Sequence, residues 1–317
     1  MKKKFLWRYI LLAVITVVLA AVIGGSLYLI DFTLGNDYGK NMKNASARLE
    51  ERYPVVKEWC DSMLNTKAMR DTFIVDEDGN RLHALYAGAA EPTRNTAVVI
   101  HGYANNSISY MYLGYMFHEK LHFNILMPDL YAHGRSDGSD IQMGLKDADD
   151  VMLWTDVANN VFGGNTEMVV HGTSMGAATA MILSGKEDKP FIKCYIEDSG
   201  YTSAWDEFEF QLGNMFGLPS FPLMYSSAVL CRMMYGWWFD DANPEEYVAE
   251  CNKPMLMIHG DEDTFVPFSM FEPLYNAKPA PKEKWIVPNS THAMAYYDYP
   301  EEYTQRVAEF LKKYGFR

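Results

Sequence analysis

One serine in the sequence has the surroundings of an activated nucleophile. Ser174 lies at the centre of the G-T-S-M-G segment 172–176, which follows the apolar run 167–170 and precedes a stretch of small residues. A chain that turns sharply from strand to helix leaves no room for side chains at Gly172 and Gly176, and it exposes the serine at the tip. The pattern therefore predicts a nucleophile elbow, whose chemistry is attack of the Ser174 hydroxyl on an acyl carbonyl.

A nucleophilic serine needs a base, and two histidines follow Ser174 in the chain. His259 directly precedes the acidic cluster 261–263, which leaves it too close to the acids to be a separately placed base. His292 follows the last apolar run, 284–287. In hydrolases whose serine lies on a turn between a strand and a helix, the base is found on this loop. The sequence predicts His292 as the general base and a structural role for His259.

The acid that orients the base is expected on the loop after the penultimate strand. Asp261, Glu262 and Asp263 all occupy that loop. Asp198, which ends an earlier apolar run, is an outside candidate. Asp261 directly follows Gly260 and is well placed to stabilise the turn through its own backbone. Asp263 is therefore the predicted acid.

An acyl-transfer site also needs two N–H donors for the developing oxyanion. The backbone N–H of Met175, at the start of the helix after the elbow, is one predicted donor. The second should come from the loop after the third strand, which contains His101, Gly102 and Tyr103. Gly102 lets the backbone approach a substrate closely, and the Tyr103 N–H is the predicted donor.

From residue 71 onward, short apolar runs alternate with helical stretches. The first two runs flank Asp78-Gly79, a hairpin signal. The predicted strands are 72–75, 82–86, 97–100, 124–127, 167–170, 193–196, 254–258 and 284–287, and the predicted helices are 107–120, 146–160, 174–185 and 300–313. Strands that are apolar on both faces and separated by helices indicate an α/β fold with a mostly parallel, twisted sheet.

The segment 199–250 interrupts this alternation. It holds 12 aromatic residues, about 23% of its positions, whereas aromatic residues make up 14% of the whole chain. Such a segment between the Ser174 elbow and the Asp263 loop is expected to cover the active site. Trp205, Trp237 and Trp238 are the predicted substrate-binding residues of this cover, with self-packing of the aromatic residues as the alternative.

The N-terminus is expected to anchor the chain in a membrane. Residues 9–30 contain no charged side chain, and a helix of this length spans about 33 Å, enough for a bilayer core of about 30 Å. A signal peptide would have a shorter apolar core and a small-residue cleavage site. Four basic residues precede the run, against Lys40 and Lys43 after it, so the N-terminus should stay in the cytoplasm and the body outside it. The predicted parts are a basic tail (1–8), a transmembrane anchor (9–30), a stalk or packed helix (31–70) and a catalytic domain (71–317).

Charge and cysteine content exclude other classes of protein. The 317-residue chain has 28 basic and 41 acidic residues, and four of the basic ones lie in the first eight positions. A body with 24 basic against 41 acidic residues does not attract nucleic acid. Its four cysteines form no C-x-x-C pair, and the sequence contains no phosphate loop or dinucleotide fingerprint. No cofactor or metal is expected, and the oligomeric state is left open.

These motifs, in this order, resemble the α/β-hydrolase superfamily, in the branch of serine aminopeptidases, monoglyceride lipases and related esterases. The resemblance covers about 71–317. The matching segments are the H-G-Y of 101–103, the D-L-Y-A-H-G-R-S of 129–136, the G-T-S-M-G of 172–176, the H-G-D-E-D-T-F-V-P of 259–267 and the T-H-A of 291–293. The resemblance implies that the family's catalytic acid corresponds to Asp263 and that 199–250 is a helical cap inserted after the sixth strand.

The sequence thus predicts a membrane-anchored serine hydrolase that cleaves a carboxylic ester through an acyl-enzyme. Its substrate would be a small acyl ester or a peptide. The first alternative is an aminopeptidase-like enzyme on the same scaffold, for which the segment 199–250 offers several carboxylates. The second is a non-catalytic binding module, which is disfavoured because every part of the triad is present. A serine in the elbow excludes the dehalogenase variant of the fold, which needs a carboxylate there.

Overall fold

The computed structural model describes residues 2–35 and 42–316. Lys40, one of the two basic residues counted after the apolar segment, lies outside the described residues, as does that part of the predicted stalk. All eight predicted strands lie within the described part of the chain.

An eight-stranded sheet in the order β1-β2-β4-β3-β5-β6-β7-β8 forms the centre of the body. The strands are β1 (Arg70–Val75), β2 (Arg81–Ala87), β3 (Asn95–Ile100), β4 (Asn124–Asp129), β5 (Glu167–Thr173), β6 (Ile192–Asp198), β7 (Met255–Gly260) and β8 (Lys282–Val287). Strand β2 is antiparallel to β1 and β4, and the other pairs are parallel. The predicted mostly parallel α/β architecture is confirmed, including the hairpin at its start.

Helices cover both faces of the sheet. They are α1 (Lys2–Leu34), α2 (Met42–Arg52), α3 (Pro54–Asn65), α4 (Met111–Tyr115), α5 (Asp147–Val161), α6 (Met175–Lys186), α7 (Ala204–Phe216), α8 (Leu223–Tyr235), α9 (Pro244–Glu250), α10 (Phe271–Ala277), α11 (Ala295–Asp298) and α12 (Pro300–Lys313). Because side chains alternate along a strand, Val98 joins the core that contains Trp154 of α5, whereas Val99 joins the core that contains Phe310 of α12. The predicted helix 107–120 is split into a 3-10 turn, α4 and a π-helical turn.

The N-terminal helix α1 continues past the predicted end of the anchor at residue 30. Its segment Leu6–Leu34 is long and apolar enough to cross a membrane, a property that a signal sequence shares. The side chains of residues 6–21 are exposed. In contrast, Ile30 and Leu34 are fully buried in the core of the body, and Leu34 accepts a hydrogen bond from the Ile141 N–H. The last turns of this helix are therefore part of the packed body.

Two further helices precede the sheet. Pro54 separates α2 from α3 by taking the first position of α3, where its missing N–H is no loss. Leu49, Val56 and Cys60 on these helices are buried in the same core as α12. Of the two interpretations of the predicted stalk, the described residues fit a pair of helices packed on the body.

The aromatic segment 199–250 folds into α7, α8, a short 3-10 turn and α9. Helix α8 packs along α1, with Ser26 and Ser226 joined by a hydrogen bond of 2.6 Å between their hydroxyls. Helix α9 packs on α6, where a Cβ at Gly185 would lie 2.2 Å from the Tyr247 carbonyl oxygen. Within the segment, α8 thus lies beside the N-terminal helix, and α9 belongs to the layer that covers the sheet.

Candidate active site

The turn between β5 and α6 has the geometry of a nucleophile elbow. Ser174 adopts φ 58° and ψ −121°, a conformation that residues other than glycine rarely hold. A Cβ at Gly172 would lie 1.9 Å from the Gly176 carbonyl oxygen, and a Cβ at Gly176 would lie 2.4 Å from the Ile100 oxygen. Only glycine fits either position, which is the reason the sequence pattern requires both.

The structure brings the three predicted catalytic side chains into one hydrogen-bonded chain. His292 Nε2 lies 2.9 Å from Ser174 Oγ, and His292 Nδ1 lies 2.7 Å from Asp263 Oδ2. With its proton on Nδ1, the imidazole donates to the carboxylate and leaves Nε2 free to accept from the serine hydroxyl. The ring of Phe265 packs against the imidazole, with 4.9 Å between the ring centroids. This is an arrangement in which a serine proton can pass to a histidine.

The carboxylate of Asp263 is buried and amply hydrogen-bonded. Its Oδ1 accepts from the N–H groups of Phe265 and Val266, at 2.9 and 3.0 Å. His259 Nε2 lies 3.4 Å from Oδ2. Burial alone would raise the pKa of Asp263, but hydrogen bonds from His259 and His292 outweigh it and hold the pKa below its ordinary value. Asp263 is therefore ionised at neutral pH.

The other acid candidates make different contacts. Asp261 Oδ1 accepts from the Asn289 N–H at 2.7 Å, so it fastens the loop that precedes His292. His259 Nε2 also lies 3.1 Å from the Val266 carbonyl oxygen, a buried position that fits the structural role predicted for it. Neither residue is hydrogen-bonded to Ser174 in the described structure; Asp261 fastens the loop of His292, and His259 contacts the Asp263 carboxylate.

The loop after β3, here called the oxyanion loop after the role predicted for it, lies directly against the serine. A Cβ at Gly102 would be 3.1 Å from the Ser174 Cβ and 2.8 Å from the Tyr110 hydroxyl. Tyr103 and Met175, whose N–H groups are the predicted oxyanion donors, both line the cavity next to Ser174. Their role as donors stays a prediction.

The segment 129–136 braces this loop rather than entering the site. The buried carboxylate of Asp129 accepts from the Ser107 and Arg135 N–H groups at 2.7 and 2.9 Å, and it lies 2.7 Å from His83 Nδ1. A Cβ at Gly134 would collide with that carboxylate. Asp129 and Gly134 therefore form a tightly packed, hydrogen-bonded cluster that supports the oxyanion loop.

A cavity of about 290 Å³, here called the catalytic pocket, opens beside Ser174. Its lining is almost wholly apolar and comes from distant parts of the chain. The contributors besides Ser174 are Phe32 and Thr33 of α1, Tyr103 and Ala104 of the oxyanion loop, Met143, Met175, Tyr201, four residues of α7 (Glu207, Phe208, Gln211 and Met215), Phe265 and Val266. A pocket of this kind suits the hydrocarbon part of an acyl group.

The three tryptophans predicted to bind substrate do not line the catalytic pocket, and this assignment is corrected. Trp205 packs against the ring of Tyr225, with centroids 5.2 Å apart. Trp237 is buried against Phe239, and Trp238 is 41% exposed. Trp205 and Trp237 therefore serve the packing of the segment itself. The wall that its helices give to the pocket comes from α7, chiefly from Phe208 and Met215.

One acidic side chain, Glu207, stands in this apolar wall. It is 4% exposed, its Oε1 accepts from Gln211 Nε2 at 2.9 Å, and its Oε2 has no hydrogen-bond partner in the described structure. Burial raises the pKa of Glu207 to about 8, and the negative charge of Asp263 adds to the rise against the opposing Gln211 hydrogen bond. At pH 7 this carboxyl is mostly neutral.

A buried polar network behind the serine was missed by sequence reasoning. Asp198, the outside candidate for the acid, accepts from Tyr303 at 3.0 Å and from the Ser199 hydroxyl at 2.9 Å. The Tyr303 hydroxyl lies 2.8 Å from His171 Nε2, and the Asp198 carbonyl accepts the Ser174 N–H at 2.8 Å. The network ties the elbow to α12. Its only sequence signal was the position of Asp198 at a strand end.

Fold and site together define a hydrolase with an elbow-mounted serine on a mostly parallel sheet. Residues 97–306 match the model of the alpha/beta hydrolase family, and the chain belongs to that family. The predicted family, fold and hydrolase class are confirmed.

Several relatives share most of their length with this chain. The uncharacterised protein YqkD of Bacillus subtilis is 29% identical over 226 residues, which are 71% of this chain and 74% of the relative. The uncharacterised protein YfhR of Escherichia coli K12 is 26% identical, covering 74% and 78% of the two chains. The protein bem46 of Schizosaccharomyces pombe is 25% identical, covering 69% and 68%.

Solved structures extend the similarity. The Pyrococcus furiosus esterase Pf2001 superimposes with a TM-score of 0.62 at 25% identity, over 78% of this chain and 92% of that one. A bacterial membrane phospholipase A gives 0.57 at 17% identity, over 99% of both chains. The second similarity is one of fold alone, and it extends over the N-terminal helix.

Proposed function

We propose that this protein is a membrane-tethered serine hydrolase that cleaves carboxylic esters through Ser174, His292 and Asp263. Ser174 Oγ attacks the acyl carbonyl while His292 Nε2 takes its proton, and the N–H groups of Tyr103 and Met175 receive the oxyanion. His292 then protonates the leaving alcohol. A water molecule, deprotonated by the same nitrogen, attacks the acyl-enzyme and releases the carboxylic acid. No cofactor takes part in these steps.

The observation that carries the proposal is the unbroken hydrogen-bonded chain from Asp263 through His292 to Ser174. An ionised, buried Asp263 stabilises the imidazolium that forms when His292 accepts the serine proton. The charge that develops during the reaction thus has a fixed counter-charge. Similarity to the esterase Pf2001 adds support from an independent direction.

The lining of the catalytic pocket favours an ester over a peptide. A peptidase that recognises a free amino terminus needs a charged carboxylate near the serine. Among the described residues, Glu207 is the one carboxyl in the lining of the catalytic pocket, and a pKa of about 8 leaves it mostly neutral at pH 7. Phe208, Met215 and Phe265 offer contacts to an acyl chain instead.

We further propose that α1 holds the enzyme in the cell membrane as a single span. The charge-free run 9–30 and the basic residues before it support a cytoplasmic N-terminus and a catalytic body on the other side. The substrate would then be met outside the cytoplasm.

Substitution of Ser174 by alanine tests the proposed reaction. We expect p-nitrophenyl butyrate turnover to fall by ~10⁴–10⁶ and labelling by a fluorophosphonate to disappear. Ser62→Ala, which removes an exposed serine of α3, should leave both unchanged. Residual turnover above a few per cent in the Ser174 variant would remove this serine as the nucleophile. A panel of aminoacyl-nitroanilides on the wild-type protein decides between esterase and peptidase.

A further inference from the structure

We propose that the substrate is an acyl ester of a membrane lipid, which reaches Ser174 from the bilayer along helix α1. This inference rests on the proposed function, because it needs both an active Ser174 and α1 in a membrane. In the reaction, the bond between the acyl carbon and the lipid alcohol oxygen breaks, one water is consumed, and a fatty acid and an alcohol are released.

The first argument is that the proposed anchor helix is itself a wall of the catalytic pocket. Phe32 and Thr33, at the C-terminal end of α1, line the cavity next to Ser174. The Tyr103 hydroxyl donates to the Thr33 carbonyl oxygen at 2.7 Å, which joins the helix to the oxyanion loop. An anchor that only tethered the enzyme would need no contact with the reacting centre.

A second cavity continues from the catalytic pocket along the helix. It has a volume of about 40 Å³ and lies among Leu29 and Ile30 of α1, Phe216 of α7 and Met224 of α8. Residues common to the linings of both cavities are Phe32, Thr33, Phe208, Gln211 and Met215. The apolar space beside Ser174 therefore extends toward the part of α1 that leaves the body.

Helix length places this region at the bilayer surface. From Tyr9 to Gly24 the helix has 16 residues, or about 24 Å, whereas the hydrocarbon core is about 30 Å thick. The missing ~6 Å corresponds to about four residues, and we assign them to the stretch after Gly24 because the charged Arg8 directly precedes Tyr9. That stretch already touches α8, since a Cβ at Gly25 would lie 3.2 Å from Leu223 and Ser26 bonds to Ser226. The start of α8 must therefore reach the membrane.

The surface at that level is apolar, as a membrane contact requires. The loop 217–222 between α7 and α8, here called the cap loop, carries Leu218 and Phe221, which are 41% and 73% exposed. Tyr225 is 55% exposed, and Phe216 packs edge-on against Tyr28 of α1 with centroids 6.5 Å apart. The patch is continuous with the apolar helix, so we assign the bilayer as its occupant rather than a second copy of the chain.

Membrane contact of the cap loop can be measured with a fluorescent label on the full-length protein in phosphatidylcholine–phosphatidylglycerol vesicles. All four native cysteines are buried, so an NBD group attached to Phe221→Cys reports on that position. Val75→Cys, on edge strand β1 and 66% exposed, is the matched control. We expect nitroxide-labelled lipids to quench the label at position 221 and not at position 75. Equal accessibility of both labels to water, or disulfide-linked dimers of the unlabelled Phe221→Cys protein in these vesicles, would overturn the membrane contact.

Substrate class is tested in the same vesicles. The wild-type protein should hydrolyse monooleoylglycerol or phosphatidylglycerol embedded in them. Phe221→Asp should lower that rate roughly tenfold and leave hydrolysis of soluble p-nitrophenyl butyrate unchanged, whereas Val75→Asp should change neither. Hydrolysis of the soluble ester without either lipid would overturn this inference alone. Absence of Ser174-dependent hydrolysis of the soluble ester would instead overturn the proposed function.

Discussion

Glu207 makes the stability of this enzyme depend on pH in a calculable way. The carboxyl lies in the apolar wall of the catalytic pocket, and burial raises its pKa from 4.5 to about 8. Replacement by glutamine keeps the shape and the hydrogen-bonding capacity toward Gln211, and it removes the titration. The comparison of Glu207→Gln with the wild-type protein therefore isolates the free energy of holding a proton on this group.

The sign and size follow from proton linkage. Between pH 4.5 and pH 8 the unfolded chain releases this proton while the native protein keeps it, so the wild type loses stability as pH rises through that window. A pKa of about 8 in the folded state corresponds to a loss of about 3–4 kcal/mol between pH 5 and pH 8. Glutamine removes this loss. Other groups remain in both proteins and cancel in the difference, apart from those close enough to couple, such as Asp263.

Urea unfolding of both proteins in detergent micelles, at half-unit steps from pH 5 to pH 8, measures the difference. We expect the free energy of unfolding of Glu207→Gln to gain about 3–4 kcal/mol on the wild type across this range. Glu209→Gln, an exposed change on the same helix, controls for the effect of a Glu→Gln substitution itself. A difference for Glu207→Gln that does not change with pH would mean that Glu207 titrates normally in the folded protein. The pocket would then hold a charged carboxylate able to bind a free amino terminus, and the argument that favours an ester over a peptide would fail.

Three further outcomes are expected. Asp263→Asn should lower ester turnover by ~10²–10⁴ because His292 loses its orienting partner, while Asp261→Asn should cost far less; the opposite ranking would move the acid to Asp261. Phe208→Ala should raise KM for an octanoate ester at least about fivefold more than for an acetate ester, since each methylene contact contributes ~0.8 kcal/mol. The control Trp238→Ala should affect both esters equally, and an equal effect of Phe208→Ala on both esters would mean that Phe208 does not contact the acyl chain. Protease added to intact spheroplasts should digest the catalytic body, and protection of the body while a known external protein is cut would reverse the proposed orientation.

The parts of the site that sequence reasoning located are those with local geometric demands. Gly172 and Gly176 announce the elbow because any side chain there would strike the backbone within 2.4 Å. His292 and Asp263 follow strands in a fixed chain order, so their loops meet at one edge of the parallel sheet. These constraints depend on a few adjacent residues, so they can be recognised without knowledge of contacts between distant segments.

The wall of the catalytic pocket depends on contacts between distant segments. For this reason the prediction that Trp205, Trp237 and Trp238 bind substrate is wrong. Aromatic enrichment in 199–250 indicates buried surface. However, a segment with its own helices uses part of that surface to pack these helices against each other, and the buried Trp237 is an example. The contribution of Phe32 could not be read from the sequence, since α1 presents an apolar face at every angle. Glu207 was one of several acidic residues, and only its burial distinguishes it.

The dual position of α1 bears on whether the N-terminus is retained. A signal peptidase cutting at the end of the apolar run would separate Ile30 from the chain, and that side chain is 1% exposed in the core. Loss of such a side chain costs about 2–5 kcal/mol, a large fraction of the stability of a typical protein. Phe32 and Leu34 would remain on a short segment that no longer had the preceding turns to hold it in a helix. Cleavage would thus open both the hydrophobic core and one wall of the catalytic pocket, so the packing of α1 supports an anchor that stays attached to a working enzyme.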